Sequence, residues 1–199
     1  VTSRLRHWKR ARSSSYFFGA LMSSTDSPPW YVISGGPSSG KTTTIELLRA
    51  RGFHVTHEQA SDIIAEELAK GRTLLDVRAD GDWFQEEILK RQLEDEATLS
   101  PTETVFLDRG VPDGLGYELY LGLKNNPELH RASQAARYRK VFLLDCLPVK
   151  VDWNRHEDAQ VQQEIHDAIR AIYLELGFDL IDVPALSAEE RVEFILEHL

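Results

Sequence analysis

Cysteine is nearly absent from this 199-residue chain: the single Cys146 cannot form an internal disulfide, which suits a reducing compartment. Long apolar runs are missing too. None approaches the roughly 18–20 residues a membrane-spanning helix requires, so no membrane span is expected. Positive charge is scarce, with 23 Lys and Arg against 32 Asp and Glu and a formal net charge of −9. The basic residues are also unevenly placed. Arg4, Arg6, Lys9, Arg10 and Arg12 fall at the start, where no acid accompanies them, so the remainder is more acidic still. Such a body argues against general nucleic-acid binding, which rests on many Lys and Arg contacts to phosphate. A small anion held locally remains compatible. The seven histidines show no metal-ligand spacing, because His54, His57, His130, His156 and His166 lack Cys or carboxylate partners at the required intervals. Internal repeats and long low-complexity stretches are also lacking.

What is present suits one globular domain: 42% hydrophobic and 28% charged residues over a length that can bury a core. Residues 1–29 are set apart, being basic and Ser-rich without periodicity and ending in Ser27-Pro28-Pro29. They read as disordered, or as a mis-set start with Met22 as the physiological one. A transit peptide for organelle import is the alternative to a cytoplasmic location. Residues 30–199 form the expected domain, in which strand-like and helix-like runs alternate. The strands are Trp30–Ser34, Phe53–Thr56, Thr104–Asp108, Val141–Asp145 and Phe178–Val183.

Helices are expected from Lys41 to about Arg51, with Gly52 as the stop, and from Gln59 to about Lys70, with Ile63, Ile64 and Leu68 inward. A polar loop around Asp76–Asp82 precedes a helix from about Trp83 to Leu99. A further helix carries Val161, Ile165, Ile169, Ile172 and Leu176 at three- and four-residue spacing. Ser187 with Glu190 makes a capping box for a terminal helix whose Val192, Ile195 and Leu199 face inward. Five strands separated by helices predict an α/β sandwich of three layers, with a mainly parallel five-stranded sheet. Ligands of such sheets sit at the carboxyl ends of the strands, near Ser34, Glu58, Asp108 and Asp145.

The most informative segment is Gly35-Gly36-Pro37-Ser38-Ser39-Gly40-Lys41-Thr42, a complete G-x-x-x-x-G-K-[ST] phosphate-binding loop, with Thr43 following. It lies directly after the first strand and opens the first helix, the context the motif needs. Backbone amides of the loop and the positive end of the helix suit a triphosphate. Lys41 would reach the β- and γ-phosphates, and the Thr42 hydroxyl would hold Mg²⁺. The chain is therefore expected to bind a nucleoside triphosphate. The absence of an Asn-Lys-x-Asp guanine motif favours ATP without excluding GTP.

Asp108 closes an apolar strand and is the expected second magnesium-organising carboxylate. Arg109, not glutamate, follows it, which favours transfer to a bound acceptor over hydrolysis. Arg109 and Asp113 are candidates for contact with that acceptor, or for a loop ion pair. Glu58 is a candidate general base or acceptor contact, with a solvated first-turn acid as the plainer reading. Pro148–Asp158 occupies the position of a mobile lid, where Arg155 would steady charge on the transferring group. Cys146 reads as a buried small hydrophobe. Tyr117, Tyr120, Trp83 and Phe84 read as core aromatics more readily than as a base-stacking platform.

Together the phosphate loop, Glu58, the stretch Val105-Phe106-Leu107-Asp108-Arg109-Gly110-Val111-Pro112-Asp113-Gly114-Leu115-Gly116-Tyr117 and Asn154-Arg155-His156-Glu157-Asp158 resemble the NadR-like AAA domain family. That family is related to ribosylnicotinamide kinase and the nucleoside and nucleotide kinases. The resemblance spans roughly residues 30–199. It implies a kinase-type P-loop sheet with the Asp108 strand beside the first strand, and phosphorylation of a small-molecule acceptor by ATP or GTP with Mg²⁺. The family's phosphate-loop positions carry over to Gly35, Gly40, Lys41 and Thr42, and its second acidic motif to Asp108. The acceptor varies among the kinase-like members. The other reading is a nucleotide-binding switch or slow NTPase with no small-molecule acceptor.

Overall fold

The computed structural model describes residues 27–147 and 156–199; Arg155, most of the expected lid and the basic start fall outside the described residues. The five strands are β1 (Trp30–Ser34), β2 (His54–Val55), β3 (Val105–Asp108), β4 (Lys140–Leu144) and β5 (Leu180–Val183). They form one sheet in the order β2-β3-β1-β4-β5, every pairing parallel. β1 reads Trp-Tyr-Val-Ile-Ser and is almost wholly buried, as the central strand of a two-sided parallel sheet must be. Its register sets Ile33 beside Asp108 and Ser34 beside Leu143, so the expected neighbourhood of β1 and β3 is observed. Because strand side chains alternate, Tyr31 and Ile33 enter one core and Val32 the other.

The helices are α1 (Lys41–Ala50), α2 (Gln59–Ala69), α3 (Leu74–Ala79), α4 (Gly81–Glu96), α5 (Val111–Leu121), α6 (Pro127–Ala135), α7 (His156–Glu175) and α8 (Ala188–Glu197). On one face Ile45 and Leu48 of α1 and Val192 and Ile195 of α8 cover Tyr31, Ile33, Phe106 and Phe142. On the other, Ile165, Ile169 and Tyr173 of α7 cover Val32, Leu107, Val141 and Leu143. α5 lies against α7, and Gly116 permits the approach: a Cβ there would meet Ile169 Cγ1 at 2.6 Å and its Cα at 3.0 Å. The chain thus has the three-layer α/β/α P-loop architecture of nucleotide kinases, with the strand order reversing direction on either side of β1.

Several local expectations are corrected. The stretch expected as a polar loop contains helix α3, because Thr73 and Asp76 form a capping box that starts a helix there. Helices α5 and α6 fall where the hydrophobic pattern gives little sign of them. α5 begins on Gly110-Val111-Pro112 and carries glycines at 114 and 116, poor helix formers that tertiary packing overrides. α6 is capped by Asn126, whose side chain accepts from the Glu128 and Leu129 amides. Leu68 and Leu199 are exposed rather than inward, at 47% and 42%, and Val161, the first residue of the α7 spacing, is exposed at 38%. Leu199 lies beyond the end of α8, where no helical period directs it. The Ser187–Glu190 capping box forms as expected.

Candidate phosphate-binding and catalytic site

The phosphate loop joins the carboxyl end of β1 to the first turn of α1. Gly40 occupies the position just before the helix with φ +86°, a left-handed conformation that a side chain would strain. Ser38 takes φ +56° and is exposed, whereas Gly35, Gly36 and Ser39 are buried and Pro37 is half-buried. Among the described residues no side-chain cap bond from Gly40 closes the first turn of α1, and no acid lies in that turn. Thr42 and Thr43 are exposed on that turn.

Lys41 is 6% exposed and turns back across the loop. Its ammonium donates to the Gly36 carbonyl at 2.7 Å, the Gly35 carbonyl at 3.1 Å and Ser39 Oγ at 3.3 Å. Burial, and then the Arg109 charge, bring the Lys41 pKa down from its ordinary range to about 7. The pull of Asp108, Asp113 and Glu58 in the other direction is smaller. An anionic oxygen entering the loop would restore the charged form, replacing neutral carbonyl partners with a full opposite charge.

Asp108 ends β3 opposite Ile33, its amide bonded to Thr56 Oγ1 at 3.0 Å. It is buried, and among the described residues its Oδ1 has no hydrogen-bond partner. Burial pushes its carboxyl up to about 6, against the opposing pull of Arg109. An unpartnered, desolvated carboxylate oxygen beside a phosphate loop is a position that a hydrated divalent cation would satisfy.

Arg109 follows in the left-handed region, at φ +70°. Its backbone amide is tied to the Ile33 carbonyl at 3.1 Å. Its guanidinium donates to Glu58 Oε1 at 3.1 Å, to Asp113 Oδ1 at 3.2 Å and to the Gly35 carbonyl at 3.3 Å. The Tyr117 ring lies 5.5 Å from the same group, a cation–π distance. Tyr117 is therefore not simply core packing but part of the wall behind Arg109. Glu58 is half-buried just before α2. Burial would raise its carboxyl, but the Arg109 charge and hydrogen bonds from Ser61 and Arg109 outweigh this and hold it below the ordinary range.

Asp113 is 2% exposed, and its oxygens accept four bonds from inside the protein. Ser34 Oγ at 2.6 Å and Arg109 reach Oδ1; Tyr173 Oη at 2.5 Å and the Gly110 amide at 3.2 Å reach Oδ2. The geometry gives Asp113 the work of fixing Arg109 and the turn after β3. Gly110 is confined there: a Cβ would lie 2.7 Å from Tyr173 Oη and 2.9 Å from Tyr138 Cε2.

Lys41 of the loop, Glu58 before α2, Asp108 and Arg109 at the end of β3, and Asp113 in the first turn of α5 thus converge at the carboxyl end of the sheet. Cys146 is half-buried, close to the place a Gly36 Cβ would take, and burial raises its thiol pKa. A separate cavity of about 220 Å³, lined by Asp82, Glu86, Glu118 and Lys124 among others, contains none of the loop residues. Ser34, Thr56, Tyr173 and Arg191 touch this centre or the loop without any motif to announce them. The one sequence signal was position, since Ser34 ends the strand that feeds the loop.

Fold and loop geometry together define a P-loop fold of the nucleoside and nucleotide kinase type. Residues 30–191 match the model of an AAA domain, and the chain belongs to that family. No curated protein matches it significantly. Among solved structures it is similar to thymidylate kinase from Ehrlichia chaffeensis, at 12% identity and a TM-score of 0.59, covering 85% of this chain and 97% of that one. It is also similar to NadR in complex with NR, at 16% identity and a TM-score of 0.60, covering 84% of this chain and 49% of that one. The chain therefore spans about half of that NadR chain. A third similarity is to deoxyadenosine kinase from M. mycoides with bound dCTP, at 13% identity and a TM-score of 0.54, covering 85% and 97%. At these identities the likeness establishes the fold.

Proposed function

We propose that this protein is an ATP-dependent kinase that transfers the γ-phosphoryl group to a hydroxyl of a small, nucleoside-like acceptor. The observation that carries the proposal is the convergence of Lys41 in its loop with the unpartnered, buried Asp108 and the braced Arg109–Glu58 pair. Thr42 and Asp108 would hold Mg²⁺, which supplies charge neutralisation on the phosphates when bound. Lys41 would leave the Gly35 and Gly36 carbonyls for the β- and γ-phosphate oxygens. Gly35, Gly36, Pro37, Ser38, Ser39, Gly40 and Thr43 would complete the loop around the phosphates.

Glu58 is the candidate to accept the acceptor's hydroxyl proton. Its lowered pKa keeps it ionised, and also makes it a weak base, so orienting the hydroxyl would be the larger share of its work. Arg155 stands as the candidate lid cation, and Arg109 as a contact for the acceptor. The pairing of Arg109 with both Glu58 and Asp113 favours an acceptor without a phosphate of its own, because that guanidinium's charge is already matched twice. Two of the structural neighbours bear names that accord with this class, a deoxyadenosine kinase and NadR solved with NR, whereas thymidylate kinase is named for an acceptor that already carries a phosphate. The absence of glutamate after Asp108 favours transfer over hydrolysis.

A panel of nucleosides, including nicotinamide riboside, screened for ADP release with wild type and Lys41→Ala tests the proposal. Acceptor-stimulated release in wild type alone supports it. MgATP binding with no stimulation by any acceptor would favour a nucleotide switch instead.

A further inference from the structure

Arg191, on α8, is 1% exposed, and among the described residues no carboxylate pairs with it. Arg72, Arg91 and Arg170, by contrast, all bind acids. Its donors go to three main-chain carbonyls. Nε donates to Pro184 at 3.0 Å, Nη2 to Asp145 at 2.9 Å, and Nη1 to Ser39 inside the phosphate loop. These acceptors follow β5, β4 and β1, so one guanidinium ties together three segments at the ligand end of the sheet. Burial without a carboxylate partner lowers its pKa, so the arrangement carries a desolvation cost. Packing alone would be served as well by an apolar side chain of similar length.

The bond to Ser39 has a consequence for the loop. In a trans peptide the carbonyl and the following amide point in opposite directions, and no peptide among the described residues is cis. With the Ser39 carbonyl held toward α8, the Gly40 N–H is turned away from it. Nη1 also lies 3.2 Å from where a Gly40 Cβ would be, so the guanidinium backs the residue that takes φ +86°.

We propose that Arg191 is a positioning residue for nucleotide binding: it sets the Ser39–Gly40 peptide from outside the loop, and thereby couples the docking of α8 to affinity for a nucleoside triphosphate. The inference rests on the phosphate-loop reading above, and the test separates the two. Calorimetry with MgATP is run on wild type, Arg191→Met, Arg191→Lys and the exposed control Glu189→Gln, with circular dichroism to confirm folding. Arg191→Met weakens MgATP at least about tenfold, near 1.4 kcal/mol. Arg191→Lys recovers part of the loss, and Glu189→Gln changes nothing.

Hydrogen exchange on wild type covers the case in which Arg191→Met does not fold, because saturating MgATP must then slow the amides of residues 188–197. MgATP affinity within about twofold of wild type in a folded Arg191→Met overturns the inference and leaves the kinase proposal standing. Unchanged exchange in α8 overturns it likewise. No heat from wild type itself overturns both.

Discussion

Glu96, at the end of α4, offers a quantitative test of how the turn carrying Arg109 is held. Its Oε1 accepts from Tyr138 Oη at 2.6 Å, and Tyr138 Oη in turn accepts from the Val111 amide at 3.0 Å. That amide opens α5 directly after Gly110. Burial pushes the Glu96 carboxyl up to about 7 from an ordinary value of 4.5, and the Tyr138 hydrogen bond only partly opposes this. In this range the folded state binds more protons than the unfolded chain, so stability is present below about pH 4.5 and is lost as the pH rises through about 7. At 1.36 kcal/mol per unit, the loss amounts to about 3 kcal/mol by pH 8.5, and to under about 1 kcal/mol at pH 5. Glu96→Gln is neutral at every pH and still accepts from Tyr138. Urea unfolding should show the variant near wild-type stability at pH 5 and more stable by about 3 kcal/mol at pH 8.5. Equal pH dependence in the two proteins, or a variant less stable than wild type at pH 8.5, would refute the assignment of that charge burial to Glu96.

Three further outcomes follow from the same contacts. Glu58→Gln should keep MgATP affinity within about twofold by calorimetry while turnover with an active acceptor falls at least about tenfold; unchanged turnover removes Glu58 from the mechanism. Gly36→Ala should abolish MgATP binding in a folded protein, because a Cβ there would meet the Gln162 carbonyl of α7 at 2.6 Å, and retained affinity would show that the loop and α7 need not approach so closely. Tyr173→Phe removes the 2.5 Å donor from buried Asp113 and should cost about 1–3 kcal/mol in urea unfolding, a loss absent if Ser34, Arg109 and the Gly110 amide satisfy that carboxylate without it.

Much of the fold was legible because two signals coincide along the chain. Apolar β-branched runs such as Trp30–Ser34 and Val105–Asp108 mark strands, and three- and four-residue spacing marks helices such as α7. Alternation of the two implies parallel pairing. The misses have a common cause. α5 is built on residues with poor helix propensity and is held by close packing of Gly116 on Ile169, while α3 depends on a local cap instead of a periodic apolar face. Neither contact leaves a periodic mark in the sequence.

The site divides in the same way. The sequence by itself determined that a glycine-rich turn with Lys41 and Thr42 lies between a strand and a helix, and that acids end the neighbouring strands, because a phosphate loop is a local backbone structure whose residue requirements are contiguous. Only the tertiary structure decided that Asp113 is enclosed by Ser34, Arg109, Gly110 and Tyr173, that Glu58 and Asp113 share Arg109, and that Arg191 reaches Ser39 from a helix 152 residues further along the chain. Those pairings join residues far apart in sequence, and sheet order and helix packing, not spacing, bring their atoms within hydrogen-bond reach.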